Sequence, residues 1–294
     1  MEYIIDRNSV GLSIKELLRK ERLSTGLIKR LKKIENGITV NGKHENVNYI
    51  LKENDIVRLI TEDFDSDINE HLVPVDLPIE IIYEDENITV VNKPSKMPTH
   101  QSLYNYTNTL ANALKFRYKD KPYVFRASNR LDKDTSGIVI TANNRYYSAL
   151  ISEKIKRSRV VKEYIAVVSG KLEGEGTIDA PIERVGKSII ERTVREDGER
   201  AITNYRSLLA CDDISVVLVR PITGRTHQIR VHMSHIGHGI IGDALYHKES
   251  EFIDRQALHC IRMNVDEIGE FYAPIPADMM SLIRRYFINE EICF

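Results

Sequence analysis

The chain has 294 residues, of which 42% are hydrophobic and 29% are charged. This length corresponds to about two domains of ordinary size, which excludes a miniprotein held by disulfide bonds, and the composition is too apolar for a disordered chain. The 42 lysine and arginine residues nearly balance the 43 acidic residues, so the overall charge predicts no attraction to nucleic acid or to membranes. The local distribution of charge is more informative.

The cysteines and the apolar segments predict a cytoplasmic protein. Cys211, Cys260 and Cys293 are widely separated and lack the C-x-x-C spacing of a zinc site or a redox pair. The first residues do not combine a basic region with an apolar stretch of signal-peptide length, and no apolar run is long enough to cross a bilayer. We therefore expect no contact with a membrane.

Charge divides the chain into three segments. Residues 1–60 hold 12 basic and 8 acidic residues, whereas residues 61–80 hold seven acidic residues and neither lysine nor arginine. Such a shift in composition is typical of a linker. We predict a small domain over residues 1–62, an acidic linker over 63–78 and a larger domain over 79–294.

The first segment predicts two short helices and a small sheet. Ser13 and Glu16 form the S-x-x-E pattern of a capping box, and a second helix begins near Ser24 and ends at Asn36-Gly37. Two short strands, ITVNGK and DIVRLI, follow. The second helix carries a basic group, consisting of Lys29, Arg30, Lys32 and Lys33. This group either binds a phosphate backbone or is a solvated helix face, and its sequence alone does not decide.

The larger segment predicts an α+β domain, because several strands follow one another without an intervening helix. Alternating apolar residues indicate strands near residues 79–92, 137–142, 160–168, 202–209 and 214–219. Helices are predicted at TLANALKFRY, at NRYYSALISEKIKR, from about Arg225 to Ile236 and near ADMMSLIRRYF. Residues 115–162 hold 13 basic and 4 acidic residues, a second basic region.

Three strings in this segment contain candidate functional residues. In RASNRLDKDTSGIVITA, a polar loop around Asp132 leads through Gly137 into an apolar strand, which is either a site of chemistry or a tight turn. In VVKEYIAVVSG, Lys162 and Tyr164 lie on one face of a strand. In RPITGRTHQIRVHMSHIGHGIIGDALY, histidines recur at positions 232, 235 and 238, but without H-E-x-x-H spacing or a cysteine partner we expect no metal site.

These strings occur in the order and approximate spacing of one enzyme family. From about Leu77 to Phe294 the chain resembles the RNA pseudouridine synthases of the ribosomal large-subunit type, through NRLDKDTSG, IIYEDENITVVNKP, KEYIAVV, TGRTHQIRVHM, GDALY and ALHCIRM. The first segment resembles the small RNA-binding domain first described in a ribosomal small-subunit protein. The resemblance implies a mixed, mainly antiparallel central sheet with flanking helices.

The resemblance also implies roles for individual residues. Asp132 corresponds to the essential aspartate, Tyr164 to the active-site tyrosine, and Arg225 to the arginine that pairs with the aspartate and keeps it ionised. Arg130 corresponds to the arginine that helps displace the target base. Asn129, which precedes Arg130, and Lys162, which lies two residues before Tyr164, are expected to contact RNA. The basic group of the second helix is expected to do the same.

The implied reaction converts uridine to pseudouridine. The bond from ribose C1′ to N1 of the base breaks, the base rotates, and a bond to C5 forms, so no cofactor is expected. The expected partner is RNA, with ribosomal RNA as the first candidate and transfer RNA as the second, and the expected state is a monomer. The alternatives are a catalytically silent RNA-binding or ribosome-assembly factor, and a glycoside hydrolase that uses Asp132 and Asp134.

Overall fold

The computed structural model describes residues 1–21, 23, 25–60, 71–102, 105–186, 188, 190–288 and 290. Two sequence-based predictions therefore fall partly outside it, namely the start of the second helix near Ser24 and the first part of the linker. Cys293 also lies outside the described residues. The proposed boundaries between the three segments stay a prediction.

The N-terminal segment forms a small sheet covered by two helices. Its elements are β1 (Glu2–Ile4), α1 (Ile14–Lys20), α2 (Thr25–Leu31), β2 (Ile38–Val40), β3 (Lys43–His44) and β4 (Ile56–Leu59). The strands pair antiparallel in the order β1-β4-β2-β3. The predicted capping box is confirmed, because the Ser13 side chain accepts from the Glu16 amide and the Glu16 carboxylate accepts from the Ser13 amide. Apolar residues of both helices pack on the sheet as a separate core.

The remaining residues form an α+β domain around one large sheet, which confirms the predicted fold class. Its elements are β5 (Glu80–Glu84), β6 (Ile88–Lys93), α3 (Leu110–Arg117), β7 (Ser136–Ala142), α4 (Arg145–Lys156), β8 (Val160–Ser169), β9 (Glu175–Asp179), β10 (Ile182–Arg184), β11 (Arg192–Val194), β12 (Ile202–Ala210), β13 (Ile214–Pro221), α5 (Gln228–His235), β14 (Leu258–Val265), β15 (Gly269–Tyr272) and α6 (Ala277–Tyr286). The four predicted helices are all present.

Among the described residues, the large sheet has the order β5-β6-β7-β14-β8-β13-β12-β9, and β15 pairs with β14. Every pairing is antiparallel except β7 with β14, which is parallel. β14 therefore joins the two halves of the sheet. One half consists of β5, β6 and β7, and the other consists of β8, β13, β12 and β9. The two halves supply different parts of the functional site.

β14 was not predicted, and neither were β15 and the strands β9 to β11. The sequence of β14, LHCIRMNV, alternates apolar and polar residues only in two short parts, because the pattern breaks between Cys260 and Ile261, where the pairing with β8 shifts register, and six of its eight residues are buried. Its polar His259 is accommodated because the ring Nδ1 lies 2.9 Å from the Ser136 hydroxyl of β7. Such a strand is stabilised by tertiary contacts that local periodicity does not show.

The two domains contact each other through α2 and α4. Tyr146 of α4 packs against the hydrophobic core of the small domain, near Tyr3. The second part of the predicted linker is anchored too, because the Asn112 side chain donates to the carbonyl of Val73 at 2.8 Å and the Val75 amide donates to the carbonyl of Asn112. The contacts of α2 and of Tyr146 place the small domain beside α4, and those of Asn112 attach the second part of the linker to α3.

No helix in the described part of the chain combines the length and the apolar character that crossing a membrane requires.

Candidate active site

A cavity of about 270 Å³ opens between the two halves of the large sheet. It is lined by the loop before β7, by β8 and by the segment that leads into α5. Six of the residues singled out in the sequence line it, namely Asn129, Arg130, Asp132, Lys162, Tyr164 and Arg225. The basic group Lys29, Arg30, Lys32 and Lys33 does not line it.

The loop that carries Asp132 is fixed by hydrogen bonds to its backbone. The Asn129 amide group bridges two residues of β7, donating to the Ile138 carbonyl at 3.0 Å and accepting from the Ile140 amide at 2.9 Å. Asn129 thus holds the loop against the sheet, and its contact with RNA stays a prediction. On the other side, Thr99 donates to the carbonyl of Leu131 and accepts from its amide.

Two buried cations hold the far side of the same loop. Lys93 is completely buried, and its ammonium donates to the carbonyls of Pro94, Met97 and Lys133 at 2.7–3.1 Å. Burial lowers the pKa of Lys93 to about 7, although the charges of Asp134 and Asp132 act in the opposite direction.

Arg255 is 3% exposed, pairs with Asp278 at 2.7 Å and also donates to the carbonyl of Asp134. The loop therefore has little freedom to move Asp132.

Gly137 marks the end of the loop and is required by its close contact with β14. Its φ is +112°, and a Cβ atom built there would lie 2.3 Å from the Cys260 carbonyl oxygen and 2.6 Å from the Cys260 amide nitrogen. The glycine thus permits the parallel pairing of Ser136 and Gly137 with His259 and Cys260.

Arg230, and not Arg225, is the arginine that pairs with Asp132. Its NH1 donates to Oδ2 of Asp132 at 3.1 Å. Arg225 donates from Nε to the Arg200 carbonyl at 3.0 Å and pairs with Glu199. The predicted pairing of Arg225 with Asp132 is therefore wrong.

Arg225 does not reach Asp132 because α5 begins later in the chain than predicted. We expected the helix to begin at about Arg225, but α5 begins at Gln228, whose side chain accepts from the Arg225 amide at 3.0 Å. Arg225 consequently lies in the preceding loop and faces residues 199–200, whereas Arg230 lies in the first turn of α5.

Arg230 is held by a second carboxylate. Nε and NH2 of Arg230 donate to the two oxygens of Asp243 at 2.7 and 2.8 Å, a bidentate pair in which both side chains are buried. The guanidinium also lies over the Tyr246 ring, 4.9 Å from its centre. Burial opposes the charged form, but the bonds to Asp243 and the charge of Asp132 outweigh it and raise the pKa of Arg230.

The string GDALY thus supplies the groups that support Arg230, a role that sequence reasoning did not assign. Asp243 pairs with Arg230, and the hydroxyl of Tyr246 lies 2.8 Å from Nδ1 of His227. His227 has a left-handed backbone (φ 58°) at the start of α5, and its Nε2 is 3.7 Å from Oδ2 of Asp132. Burial lowers the pKa of His227 despite the charge of Asp132, so a neutral imidazole adjoins the carboxylate.

Tyr164 and Lys162 enter the cavity from β8, as two residues on one face of a strand. Tyr164 is 7% exposed, and burial raises the pKa of its phenol well above the ordinary value. The phenol therefore stays protonated at neutral pH. Burial lowers the pKa of the Lys162 ammonium.

Two of the three histidines considered as metal ligands have structural contacts. Both ring nitrogens of the buried His232 have partners, Thr203 Oγ1 at 2.8 Å and the Ala180 carbonyl at 2.9 Å. His238 Nδ1 lies 2.8 Å from the Ser169 carbonyl. Within the described ranges, no group of three or more histidine, cysteine or acidic residues is placed to hold a metal ion.

Comparison with known proteins gives a consistent result. Residues 87–235 match the sequence profile of the RNA pseudouridylate synthase family. An uncharacterized RNA pseudouridine synthase of Bacillus subtilis, YjbO, is 37% identical over 281 residues, which cover 93% of this chain and 99% of that protein. The ribosomal large subunit pseudouridine synthase D of Escherichia coli O6:H1 is 38% identical over 231 residues, 71% of each chain.

A solved structure extends this similarity to the fold. Human RNA pseudouridylate synthase domain containing 1 superimposes with a TM-score of 0.57 at 28% identity, covering 67% of this chain and 83% of the human one. The sequence match, the fold and the aspartate in its cavity lead to one conclusion: the chain belongs to the RNA pseudouridine synthase family, of the ribosomal large-subunit type, and is an isomerase that acts on uridines in RNA.

Proposed function

We propose that this enzyme isomerises specific uridines of large-subunit ribosomal RNA, with Asp132 as the catalytic residue. The observation that carries the catalytic assignment is the position of Asp132, which lies in the cavity and is held by Arg230, itself fixed by Asp243. The choice of RNA rests on relatives whose names specify the large ribosomal subunit. Action as a monomer in the cytoplasm stays a prediction.

The size of the cavity fits a single nucleoside. About 270 Å³ lies just below the usual range for small-molecule sites, roughly 300–1,000 Å³, so a stacked duplex does not fit. The target uridine must therefore leave its stack, at a cost of a few kcal/mol. Arg130 is exposed at the rim of the cavity and is placed to fill the gap that the base leaves.

Asp132 acts on the sugar in this proposal. Its carboxylate attacks C1′ or removes the proton at C2′, and either path releases N1 of the base. Arg230 contacts only Oδ2, and among the described residues Oδ1 of Asp132 accepts no hydrogen bond. Oδ1 is thus the oxygen available to the ribose, while Arg230 fixes the orientation of the carboxylate.

Tyr164 and Lys162 act on the base. The Tyr164 ring provides an apolar face on which the detached uracil stacks while it rotates, and its phenol, which stays protonated, is suited to donate a hydrogen bond. Lys162 lies beside it and offers a donor for a carbonyl oxygen of uracil. The raised pKa of Tyr164 argues against its phenolate as the base that removes the C5 proton. In this proposal the Asp132 carboxylate, which is released when C5 bonds to C1′, takes that proton, and N1 of the base gains one, so that the isomerisation balances.

The small domain supplies further RNA contacts. Lys29, Arg30, Lys32 and Lys33 are all exposed around α2, which is consistent with binding to a phosphate backbone. The sequence resemblance of this domain to a ribosomal-protein RNA-binding domain supports the same role.

The decisive experiment compares the wild-type enzyme with Asp132→Asn on unmodified transcripts of large-subunit ribosomal RNA and of transfer RNA. Pseudouridine is mapped by carbodiimide labelling and primer extension. We expect modified positions only in the ribosomal transcript with the wild-type enzyme. Asp132→Asn should still bind that transcript and should form no pseudouridine, because the amide neither attacks nor accepts a proton.

Two outcomes would contradict the proposal. Pseudouridine formation by Asp132→Asn would contradict the assignment of Asp132 as the catalytic residue. Modification of transfer RNA alone would contradict ribosomal RNA as the substrate. A wild-type enzyme that binds the transcripts but modifies neither would favour the silent RNA-binding factor.

A further inference from the structure

A second cavity, of about 420 Å³, lies where the small domain meets the catalytic domain. We call it the junction cleft. One wall belongs to α2 and the opposite wall to α4 and the segment before the catalytic loop. The lining residues that matter here are Arg30, Arg126, Arg145, Lys156, Ser152 and Glu153.

Basic side chains predominate in the lining of the junction cleft. Among the described residues, four basic side chains and one acidic side chain line it. The acidic one, Glu153, is paired with Arg157 of the same helix, whose Nε donates to it at 2.8 Å, so its charge is compensated from outside the cleft. A concave site with such a charge attracts anions, and arginine is suited to bind phosphate oxygens in pairs.

The junction cleft adjoins the active-site cavity, because two elements line both. On α4, Ser152 and Lys156 face the cleft while Ile155 faces the active-site cavity. The segment that begins at Arg126 in the cleft continues to Asp132 in the cavity. Six residue steps span at most about 20 Å, the length of roughly six stacked nucleotides of one strand.

The two walls are fixed relative to each other. Tyr146, in the first turn of α4, packs into the core of the small domain, and α2 contacts α4 directly. The spacing between Arg30 on one wall and Arg145 on the other is therefore set by packing. A polyanion can bridge both walls without the cost of ordering a mobile domain.

We propose that the junction cleft binds the phosphodiester backbone of the RNA strand whose uridine enters the active-site cavity, within about six nucleotides of that uridine. The proposal rests on the proposed function for the identity of the RNA. It assigns Arg126 and Arg145 to phosphate binding. Arg126 opens the string that leads to Asp132 but lies before NRLDKDTSG, and Arg145 lies outside all the strings that carry the resemblance. The alternative is that these arginines serve only to hold the two domains together.

The test measures how salt weakens binding to an unmodified large-subunit ribosomal RNA transcript. Each phosphate contact contributes about 0.7 to 0.9 to the slope of log Kd against log salt concentration. The variant Arg126→Gln/Arg145→Gln should therefore reduce the slope by about 1.4 to 1.8 and weaken binding at least tenfold at low salt. The control Arg7→Gln/Lys171→Gln removes the same charge from exposed ion pairs outside both cavities, and its slope should equal that of the wild type.

A third variant, Arg126→Lys/Arg145→Lys, separates phosphate binding from domain packing. Lysine keeps the charge, so the slope should return to within about 0.5 of the wild-type value. An unchanged slope in the glutamine variant, an equal loss in the control, or a failure of the lysine variant to recover the slope would each overturn the proposal. Because binding is measured directly, the result does not depend on turnover.

Ethylation interference then locates the phosphates. Some phosphates should, when ethylated, weaken RNA binding by the wild-type enzyme but not by Arg126→Gln/Arg145→Gln. We expect these phosphates within about six nucleotides of the mapped pseudouridine, on the same strand. Phosphates on another strand, or far along the sequence, would overturn the proposed path. If the wild-type enzyme modifies no uridine in the transcript, the salt slopes still test the cleft, while the proposed substrate fails.

Discussion

Asp132 accepts a hydrogen bond of 3.1 Å from Arg230, which lies 98 positions further along the chain. The two residues come from different parts of the fold, the loop before β7 and the first turn of α5. Arg230 is also fixed by Asp243, so the orientation of Asp132 depends on a residue that does not itself line the cavity. Asp132, Arg230 and Asp243 thus form one connected chain of ion pairs.

Replacing Arg230 should affect catalysis far more than replacing Arg225. Arg230→Met removes the group that orients the Asp132 carboxylate, and we expect kcat to fall at least about a hundredfold, as for other electrostatic partners of reacting groups. Arg225→Met removes a partly exposed pair with Glu199 and should lower kcat by less than about tenfold. Single-turnover kinetics on the ribosomal transcript measure both. An equal loss in the two variants would contradict the pairing of Arg230 with Asp132.

Replacing Asp243 should lower stability as well as activity. Asp243→Ala leaves the buried guanidinium of Arg230 without its bidentate partner, and removing one member of a buried pair costs about 3–5 kcal/mol. Urea denaturation followed by circular dichroism should show this loss. The matched control is Asp254→Ala, which removes the exposed partner of Lys96 and should cost less than about 1 kcal/mol. Equal losses would mean that the Arg230 pair contributes no more than a surface ion pair.

Lys93 should make the protein more stable as the pH rises above 7. Burial lowers the pKa of Lys93 to about 7, and in the unfolded chain it returns to about 10.4. Between these values the unfolded chain binds more protons than the folded one, so the free energy of unfolding increases with pH. From pH 7 to pH 8 the increase from this group is about 1 kcal/mol.

Lys93→Met should lack this increase. Burial raises the pKa of the Cys260 thiol to about 12, which lowers stability as the pH passes about 9. The comparison is therefore made below that pH and as a difference between the two proteins. Parallel curves of unfolding free energy against pH for the wild type and Lys93→Met would show that Lys93 is protonated in both states throughout this range.

Gly137→Ala should be much more damaging than Gly174→Ala. Both glycines have positive φ, so both substitutions carry a backbone cost of about 1 kcal/mol. Only at position 137 would the new Cβ meet other atoms, the Cys260 backbone at 2.3 Å, whereas nothing lies within 4 Å at position 174. Melting temperatures of the two variants measure the difference. Equal shifts would mean that β7 and β14 can separate without loss.

The sequence was sufficient to predict the elements whose causes are local. The helices α3 and α4 begin at polar residues that cap them, Thr109 and Asn144, and their apolar residues recur at helical spacing. The alternation of β8 placed Lys162 and Tyr164 on one face, and the structure places both beside the same cavity. The resemblance of NRLDKDTSG led to Asp132, which lies there too.

Other parts of the site depend on contacts between distant segments. Two arginines five positions apart, Arg225 and Arg230, flank the start of α5, and the choice between them depends on where the helix begins. The support that Asp243 gives to Arg230 comes from a later loop and becomes visible only in three dimensions. The burial of Lys93 is likewise produced by a distant segment, the loop that it holds, and no local pattern in the sequence indicates it.

The position of β14 in the sheet has a consequence for the order of folding during synthesis. Asp132 precedes β7 and Tyr164 lies on β8. In the part of the sheet that the structure describes, these two strands are connected through β14 alone, which follows Tyr164 by about ninety residues. A nascent chain that has emerged as far as β8 therefore lacks the strand that brings its two half-sheets together. Until that strand arrives, the unpaired edges of β7 and β8 are exposed and prone to association with other chains. The active site, which takes residues from both half-sheets, can therefore be complete only after β14 has been synthesised.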